Sequence, residues 1–380
     1  MNLPFIDLAS QQQRIRTEIE SKIETVLNHG KYIMGPEVEE LEKVLCERVG
    51  VKYVISCSSG TDALLLALMG LKLKPGQGVI VPSFTFTASA EVMPLLGAIP
   101  VFAEIDEETF TLNPARLGHA LEAANSLDIE VVGIIAVGLF GQPAQMDKIN
   151  AFAKSNELWV LDDAAQSFGT ELNGAKTGTL AEVTCTSFFP AKPLGCYGDG
   201  GALFTDSTEI AEIARSARVH GQGSHKYQTF RLGMTARLDT IQAAILLAKL
   251  KVFDEELVLR NAAASYYAEL LSGWVETPIC YPDKTSSWAI YTIKLPKRTN
   301  RVFIQEELSK RGVPTAIYYP IPMHLQKPYE HYPRDKNGLE VSECLAQSVL
   351  SIPMHPYLTN EKQEMIGKAI IETIKIVDKR

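Results

Sequence analysis

Paired cysteines are missing from this 380-residue chain. Its six cysteines, at positions 46, 57, 185, 196, 280 and 344, are scattered and never form a C-x-x-C pair. Neither a disulfide framework nor a structural zinc site has the spacing it needs, and the thiols read as reduced. Close histidine pairs are also missing: none of the seven histidines stands in an H-E-x-x-H motif, so no metal site is expected. The most continuous apolar run, Val131–Gly141, is too short to cross a bilayer. There is no excess of basic charge. With 45 acidic and 37 basic residues the net charge is −8, which argues against a nucleic-acid binder or an anionic-membrane binder. The first residues hold no basic segment leading into an apolar one, so a cytoplasmic protein is expected.

Several catalytic signatures are absent too. No G-x-G-x-x-G falls within residues 1–130, where a Rossmann dehydrogenase would carry it. No G-x-S-x-G occurs, which removes serine hydrolases of that type. Gly169–Thr177 fails as a phosphate loop because Ala175 displaces Lys176 from its place after the second glycine, so a surface turn is expected there. What remains is a globular composition, 46% hydrophobic and 22% charged, long enough to bury a large core.

The pattern along the chain predicts its organisation. Asp7 can cap a helix to about His29, Pro36 opens a second, and Gly50 ends it. Strand-like runs follow at Tyr53–Cys57, Val79–Val81, Pro100–Ile105, Val131–Val137 and Trp159–Leu161, with helical stretches near 61–71, 86–95, 113–124 and 144–155. Such alternation predicts an α/β fold with a mostly parallel central sheet. After Ala181 come strands at Thr184–Phe189 and Ala202–Thr205, then helices near 208–218 and 239–271. The end of the chain reads as a smaller α+β unit: strands at 288–295 and 315–319, helices at 301–311, 341–349 and 360–376. This predicts a large domain over 1–250 and a small C-terminal domain over 251–380.

Four segments carry the chemistry. Ser58-Ser59-Gly60-Thr61-Asp62 joins a strand to a helix, and open N–H groups at a helix start make a ready anion cradle. Trp159–Gln166 delivers Asp162 and Asp163 to the end of an apolar strand, where open α/β sheets place ligands. In Ser187–Gly201, Lys192 sits between Pro190 and Pro193 and ahead of a glycine-rich run, a setting for a desolvated amine of lowered pKa. From Arg215 to Arg237, five basic residues (Arg215, Arg218, Lys226, Arg231 and Arg237) and no acids form a candidate phosphate-binding stretch. Cradle, acid and lysine are the three protein parts that pyridoxal phosphate requires: the lysine bonds the aldehyde as a Schiff base, the acid pairs with the protonated ring nitrogen, and the cradle holds the phosphate.

Six runs bear a resemblance: "GTDAL" at 60–64, "PSFTFTASAE" at 82–91, "LDDAAQSFG" at 161–169, "SFFPAKPLGCYGDGGA" at 187–202, "RLDTIQAA" at 237–244 and "YYPIPMHLQ" at 318–326. The chain resembles the DegT/DnrJ/EryC1/StrS family of nucleotide-sugar aminotransferases along nearly its whole length. It is most similar to the branch that aminates C3 of UDP-2-acetamido-2-deoxy-3-ketoglucuronic acid. The resemblance implies a fold-type-I, aspartate aminotransferase-like enzyme using pyridoxal 5′-phosphate, with pyridoxamine 5′-phosphate as the half-reaction form. It implies catalytic roles for Lys192 and Asp163, with cofactor contacts from Gly60, Thr61, Asp62 through its backbone, Phe86 on the ring face, Gln166 at the ring hydroxyl and Ser187. Relatives commonly carry Asn where this chain has Thr235, and that Asn reaches the neighbouring subunit's phosphate; Thr235 is therefore a candidate for a shorter version of the contact. Arg237, Tyr319 and His324 are candidates for the nucleotide sugar. Glutamate as amino donor, a homodimer with shared active sites and a place in surface polysaccharide (lipopolysaccharide O-antigen) synthesis are implied as well. The alternatives are an aminotransferase for dTDP- or UDP-linked 3- or 4-keto-6-deoxysugars, a transaminase of free amino acids, or a non-catalytic pyridoxal-binding sensor. A pyridoxamine-dependent dehydratase would carry histidine where Lys192 stands.

Overall fold

The computed structural model describes residues 3–223, 225, 227–296 and 299–378; Lys226 of the basic stretch lies outside them. Helix α1 (Leu8–His29) starts where the Asp7 side chain accepts from the Ser10 N–H and stops at Gly30 in the left-handed region. Helix α2 (Pro36–Val49) opens on its proline and ends at Gly50. Then β1 (Tyr53–Cys57), α3 (Gly60–Gly70), β2 (Gly78–Pro82), α4 (Ala88–Leu95), β3 (Ile99–Ala103), α5 (Leu117–Asn125), β4 (Val131–Val137), α6 (Met146–Ser155) and β5 (Trp159–Asp163) alternate. The turn expected at Gly169–Thr177 is a small hairpin of β6 (Glu171–Leu172) and β7 (Ala175–Lys176), closed by Asn173 and Gly174, both at positive φ. There follow β8 (Val183–Ser187), β9 (Gly201–Thr205), α7 (Thr208–Ala217), α8 (Thr240–Leu271), β10 (Tyr291–Lys294), α9 (Arg301–Lys310), α10 (Glu340–Ser348), β11 (Val349–Ile352) and α11 (Asn360–Asp378).

The main sheet has the order β1-β9-β8-β5-β4-β2-β3. All its strands run in one direction except β9, which is antiparallel to both neighbours. Both faces are buried, so β2 alternates between cores: Val79 and Val81 pack with α3, α4 and α7, and Ile80 packs with α5 and α6. The carboxyl ends of β1, β2, β4, β5 and β8 therefore share one edge. Gly201, the first residue of β9, joins them by pairing with Cys57 and Ser187.

Helix α8 runs unbroken across residue 250. Its 32 residues rise about 48 Å. Ala243, Leu246 and Phe253 pack with α2 and the sheet, whereas Ala264, Tyr267 and Leu271 pack with β10, β11, α9 and α11. The strand expected at 315–319 is not formed. Ala316 makes a single bridge to Ser351, and the chain then leaves the sheet so that Tyr318 and Tyr319 can line a cavity. Val349, expected at a helix end, instead opens β11, which pairs with β10. Pro100–Ile105 shifts back to Ile99–Ala103, and 288–295 shortens to Tyr291–Lys294.

Candidate active site

A cavity of about 470 Å³ opens at the carboxyl edge of the sheet. Gly60, Thr61, Phe86, Asp163, Gln166, Ser187, Lys192 and Tyr319 all line it, so segments up to 260 residues apart in sequence converge there.

The floor is the β5 end. Asp163 is buried, and Ser89 Oγ donates to its Oδ2 at 2.7 Å while the Ala165 N–H donates to its Oδ1 at 3.2 Å. Burial raises its carboxyl above the ordinary range, while the Ser89 and Ala165 bonds and the Lys192 charge pull it back. Asp162, one residue earlier, does not line the cavity. It is fully buried with no hydrogen-bond partner on either oxygen among the described residues. Burial, with the neighbouring Asp163 charge, pushes it up to about 7. Lys192 reaches the same cavity from the β8–β9 connection, and burial lowers its ammonium pKa against the opposing pull of Asp163. Gln166 is held at both ends. Its Oε1 accepts from the Phe140 N–H at 2.8 Å, and its Nε2 donates to the Tyr319 hydroxyl at 3.4 Å. The Phe86 ring lies 6.2 Å from that of Tyr319 and is 53% exposed, so one face of the cavity is aromatic.

The cradle forms at the start of α3. Ser59 caps the helix, its Oγ accepting from Asp62 N–H at 3.0 Å and its carbonyl from Ala63 N–H at 3.0 Å. The N–H groups of Gly60 and Thr61, at the positive helix end, are left for a ligand. The Asp62 N–H, expected at the phosphate, is spent on this cap, and its carboxylate accepts from Ser58 Oγ. A Cβ on Gly60 would stand 2.7 Å from Ser187 Cβ, and one on Gly201 would stand 2.3 Å from the Ser59 carbonyl. Both glycines let three chain segments close around the cradle. A helix-end cradle, a buried carboxylate, a half-buried amine and an aromatic wall in a cavity of this size fit pyridoxal phosphate.

Other expected residues lie elsewhere. Thr235 is exposed and hydrogen-bonds His220 at 2.7 Å; neither it nor Arg237, half-buried, lines the cavity. His324 is buried behind the wall, bonded to Ser83 at 2.5 Å and Glu343 at 3.1 Å. Most of the basic stretch is also spent structurally. Arg218 pairs with Glu42 at 2.6 Å and the Ser56 carbonyl at 2.7 Å, Arg215 lies over the Tyr53 ring, and Arg231 donates to the Glu212 carbonyl at 3.3 Å. Residues not singled out from sequence also line the cavity: Phe5, Ile6, Thr85, Ser89, Asp199 and Tyr318 among them. Thr85 and Ser89 stand in the same "PSFTFTASAE" run as Phe86, the signal that could have found them.

The model of the DegT/DnrJ/EryC1/StrS aminotransferase family matches residues 13–371. A UDP-2-acetamido-2-deoxy-3-oxo-D-glucuronate aminotransferase of Pseudomonas aeruginosa is 46% identical over 369 residues, covering 97% of this chain and 99% of the relative. The crystal structure of a DegT DnrJ EryC1 StrS aminotransferase from Brucella abortus superposes with a TM-score of 0.94 at 44% identity, covering 97% of this chain and 98% of that one. That of NtdA from Bacillus subtilis with bound cofactor PMP gives 0.88 at 30% identity, covering 98% and 85%.

Proposed function

Since the chain belongs to the DegT/DnrJ/EryC1/StrS aminotransferase family and takes pyridoxal 5′-phosphate as its cofactor, we propose that it moves an amino group from L-glutamate to C3 of UDP-2-acetamido-2-deoxy-3-ketoglucuronic acid. The observation that carries the substrate is the 46% identity, over nearly the full length of both chains, to an aminotransferase named for that sugar. The product would serve surface-polysaccharide synthesis. The working unit would be a cytoplasmic homodimer, each protomer a large domain joined to a small one through α8.

Bound in the cavity, pyridoxal phosphate supplies an aldehyde that carries the amine and a ring that takes up the electron pair released at the amino-acid α-carbon. The chain's own residues do the rest. Lys192 would be the residue that holds the aldehyde, and its amine, with a pKa lowered by burial, would accept and return the substrate proton. Asp163 holds the proton on the ring nitrogen. Gln166, its Oε1 fixed by the Phe140 N–H, presents Nε2 as a donor to the ring oxygen. Phe86 covers a ring face and excludes water from it. The N–H groups of Gly60 and Thr61, with Ser187, hold the phosphate, Asp62 supporting them through the cap. Tyr319 meets the sugar, and His324 backs that wall from behind.

The test is amine transfer by the purified, cofactor-loaded protein, read as 2-oxoglutarate released from glutamate and as amino sugar formed. Turnover with the UDP-3-keto sugar acid and none with a dTDP-4-keto-6-deoxysugar is expected. Turnover with the 4-keto sugar alone would keep the class and move the substrate. Cofactor binding without release of 2-oxoglutarate or any other keto acid would point to a sensor.

A further inference from the structure

The pocket end of Asp163 is served by a chain of hydroxyls that the cofactor contacts leave unexplained. Thr85 lies three residues ahead of α4 and Ser89 in its first turn; both are buried, and both line the cavity. Ser89 Oγ stands 2.7 Å from Asp163 Oδ2, and Thr85 Oγ1 stands 3.1 Å from Ser89 Oγ. Direction follows from chemistry. An ionised carboxylate can only accept, so the Ser89 proton points to Asp163, and Ser89 Oγ in turn accepts from Thr85. We propose that Thr85 and Ser89 are positioning residues that hold Asp163 in place and keep it ionised, so that it can retain the proton on the ring nitrogen of the cofactor. The proposal rests on the assignment of Asp163 as the partner of that nitrogen.

The need for such a device is electrostatic. A carboxylate buried at the end of an apolar strand is neutral unless it is paired or hydrogen-bonded, and a neutral acid cannot hold a pyridinium proton. The groups around Asp163 do not settle the matter alone. Lys192, from the β8–β9 connection, favours the ionised form, but it is the group that must become neutral in the reaction. Asp162 on the same strand opposes ionisation once it is charged, and Cys185, opposite on β8, and Tyr319 are neutral neighbours. The hydroxyl chain and the Ala165 N–H persist through every state of the amine. Asp162 provides the contrast within one strand: burial with the Asp163 charge pushes it up to about 7, and only the Thr184 hydroxyl opposite it works to lower its pKa.

The experiment loads the protein with pyridoxal phosphate labelled with ¹⁵N in the ring and follows the ring-nitrogen signal against pH. In Ser89→Ala the midpoint at which the nitrogen loses its proton should fall by about one to two pH units, the value of one hydrogen bond to a charged group. Thr85→Val should move it the same way by less, and Ser89→Thr, which keeps the oxygen, should leave it near wild type. Asp163→Asn is the control and should abolish the protonated signal. If Asp163→Asn changes nothing, the assignment of Asp163 fails and the proposal with it. If Asp163→Asn moves the signal while Ser89→Ala and Thr85→Val do not, Asp163 stands and the relay is overturned. Should Ser89→Ala fail to fold, Thr85→Val decides alone, since Thr85 acts on Asp163 only through Ser89; an unmoved midpoint there overturns the relay.

Discussion

Asp162 and Asp163 are neighbours in sequence, and on a strand one residue is a change of face. Asp163 meets Ser89 and Ala165 at the cavity, while Asp162 enters the sheet's other face with no partner among the described residues. The folded chain therefore holds a proton on Asp162 up to about pH 7 that the unfolded chain releases near 3.8. Between those values the folded state binds more protons, so its stability falls as pH rises, by up to about 4 kcal/mol, and flattens above pH 7. Asp162→Asn removes the titration and leaves a constant cost of about 1–3 kcal/mol for a buried amide. Urea unfolding at pH 5 and pH 8 should then show the variant gaining on wild type as pH rises; parallel profiles would refute the account. Spacing alone made both acids candidates, because either can end a strand, and the resemblance alone singled out Asp163. The face each one takes depends on the pairing of Asp163 with Val137 and Cys185, a register no single segment encodes.

The elements that build the cradle need glycine for space rather than for backbone freedom. Neither Gly60 nor Gly201 has positive φ, yet a Cβ at either would meet atoms at 2.7 Å and 2.3 Å. Gly60→Ala should cost about 1–3 kcal/mol by overpacking and weaken retention of pyridoxal phosphate, because the cradle must open to admit the methyl. Gly30 gives the comparison: it ends α1 at φ 68 with nothing within 4 Å of a Cβ. Gly30→Ala should cost about 1–2 kcal/mol from the left-handed backbone and leave cofactor retention unchanged. Melting curves of apo and loaded protein separate the two, and equal loss of retention would refute the steric reading. Most elements were legible because buried parallel strands and amphipathic helices announce themselves by period, as in Val131–Val137 and α1. The 315–319 run has the same apolar and aromatic character, but its side chains go into a cavity wall, and period cannot tell a wall from a strand.

At the scale of the whole molecule the cavity is short of positive charge. Lys192 is the only cation that lines it among the described residues, beside Asp163 and Asp199, whereas a nucleotide sugar acid brings a diphosphate and a carboxylate. The described residues of the 215–237 stretch, which sequence marked as basic, do not line their own chain's cavity, and among them Phe230 is 61% and Leu232 88% exposed. Tyr32 and Ile33 are half exposed, and Ile33 bridges to Asp239 just beyond that segment. In the proposed homodimer such open apolar groups would face the partner, and a two-fold axis would cover them twice while carrying the segment to a neighbouring cavity. The resemblance implied a homodimer with shared active sites, but not which surface it would bury. Phe230 and Leu232 carried no reading from sequence, and the fold leaves both exposed. In the proposed dimer, Phe230→Asp with Leu232→Asp should shift sedimentation from dimer to monomer and raise KM for the nucleotide sugar by about tenfold or more, the worth of about 1.4 kcal/mol. The monomer should still fold, because both side chains lie outside the cores. A variant that sediments and binds the sugar as wild type does would mean that the cations come from elsewhere in the same chain.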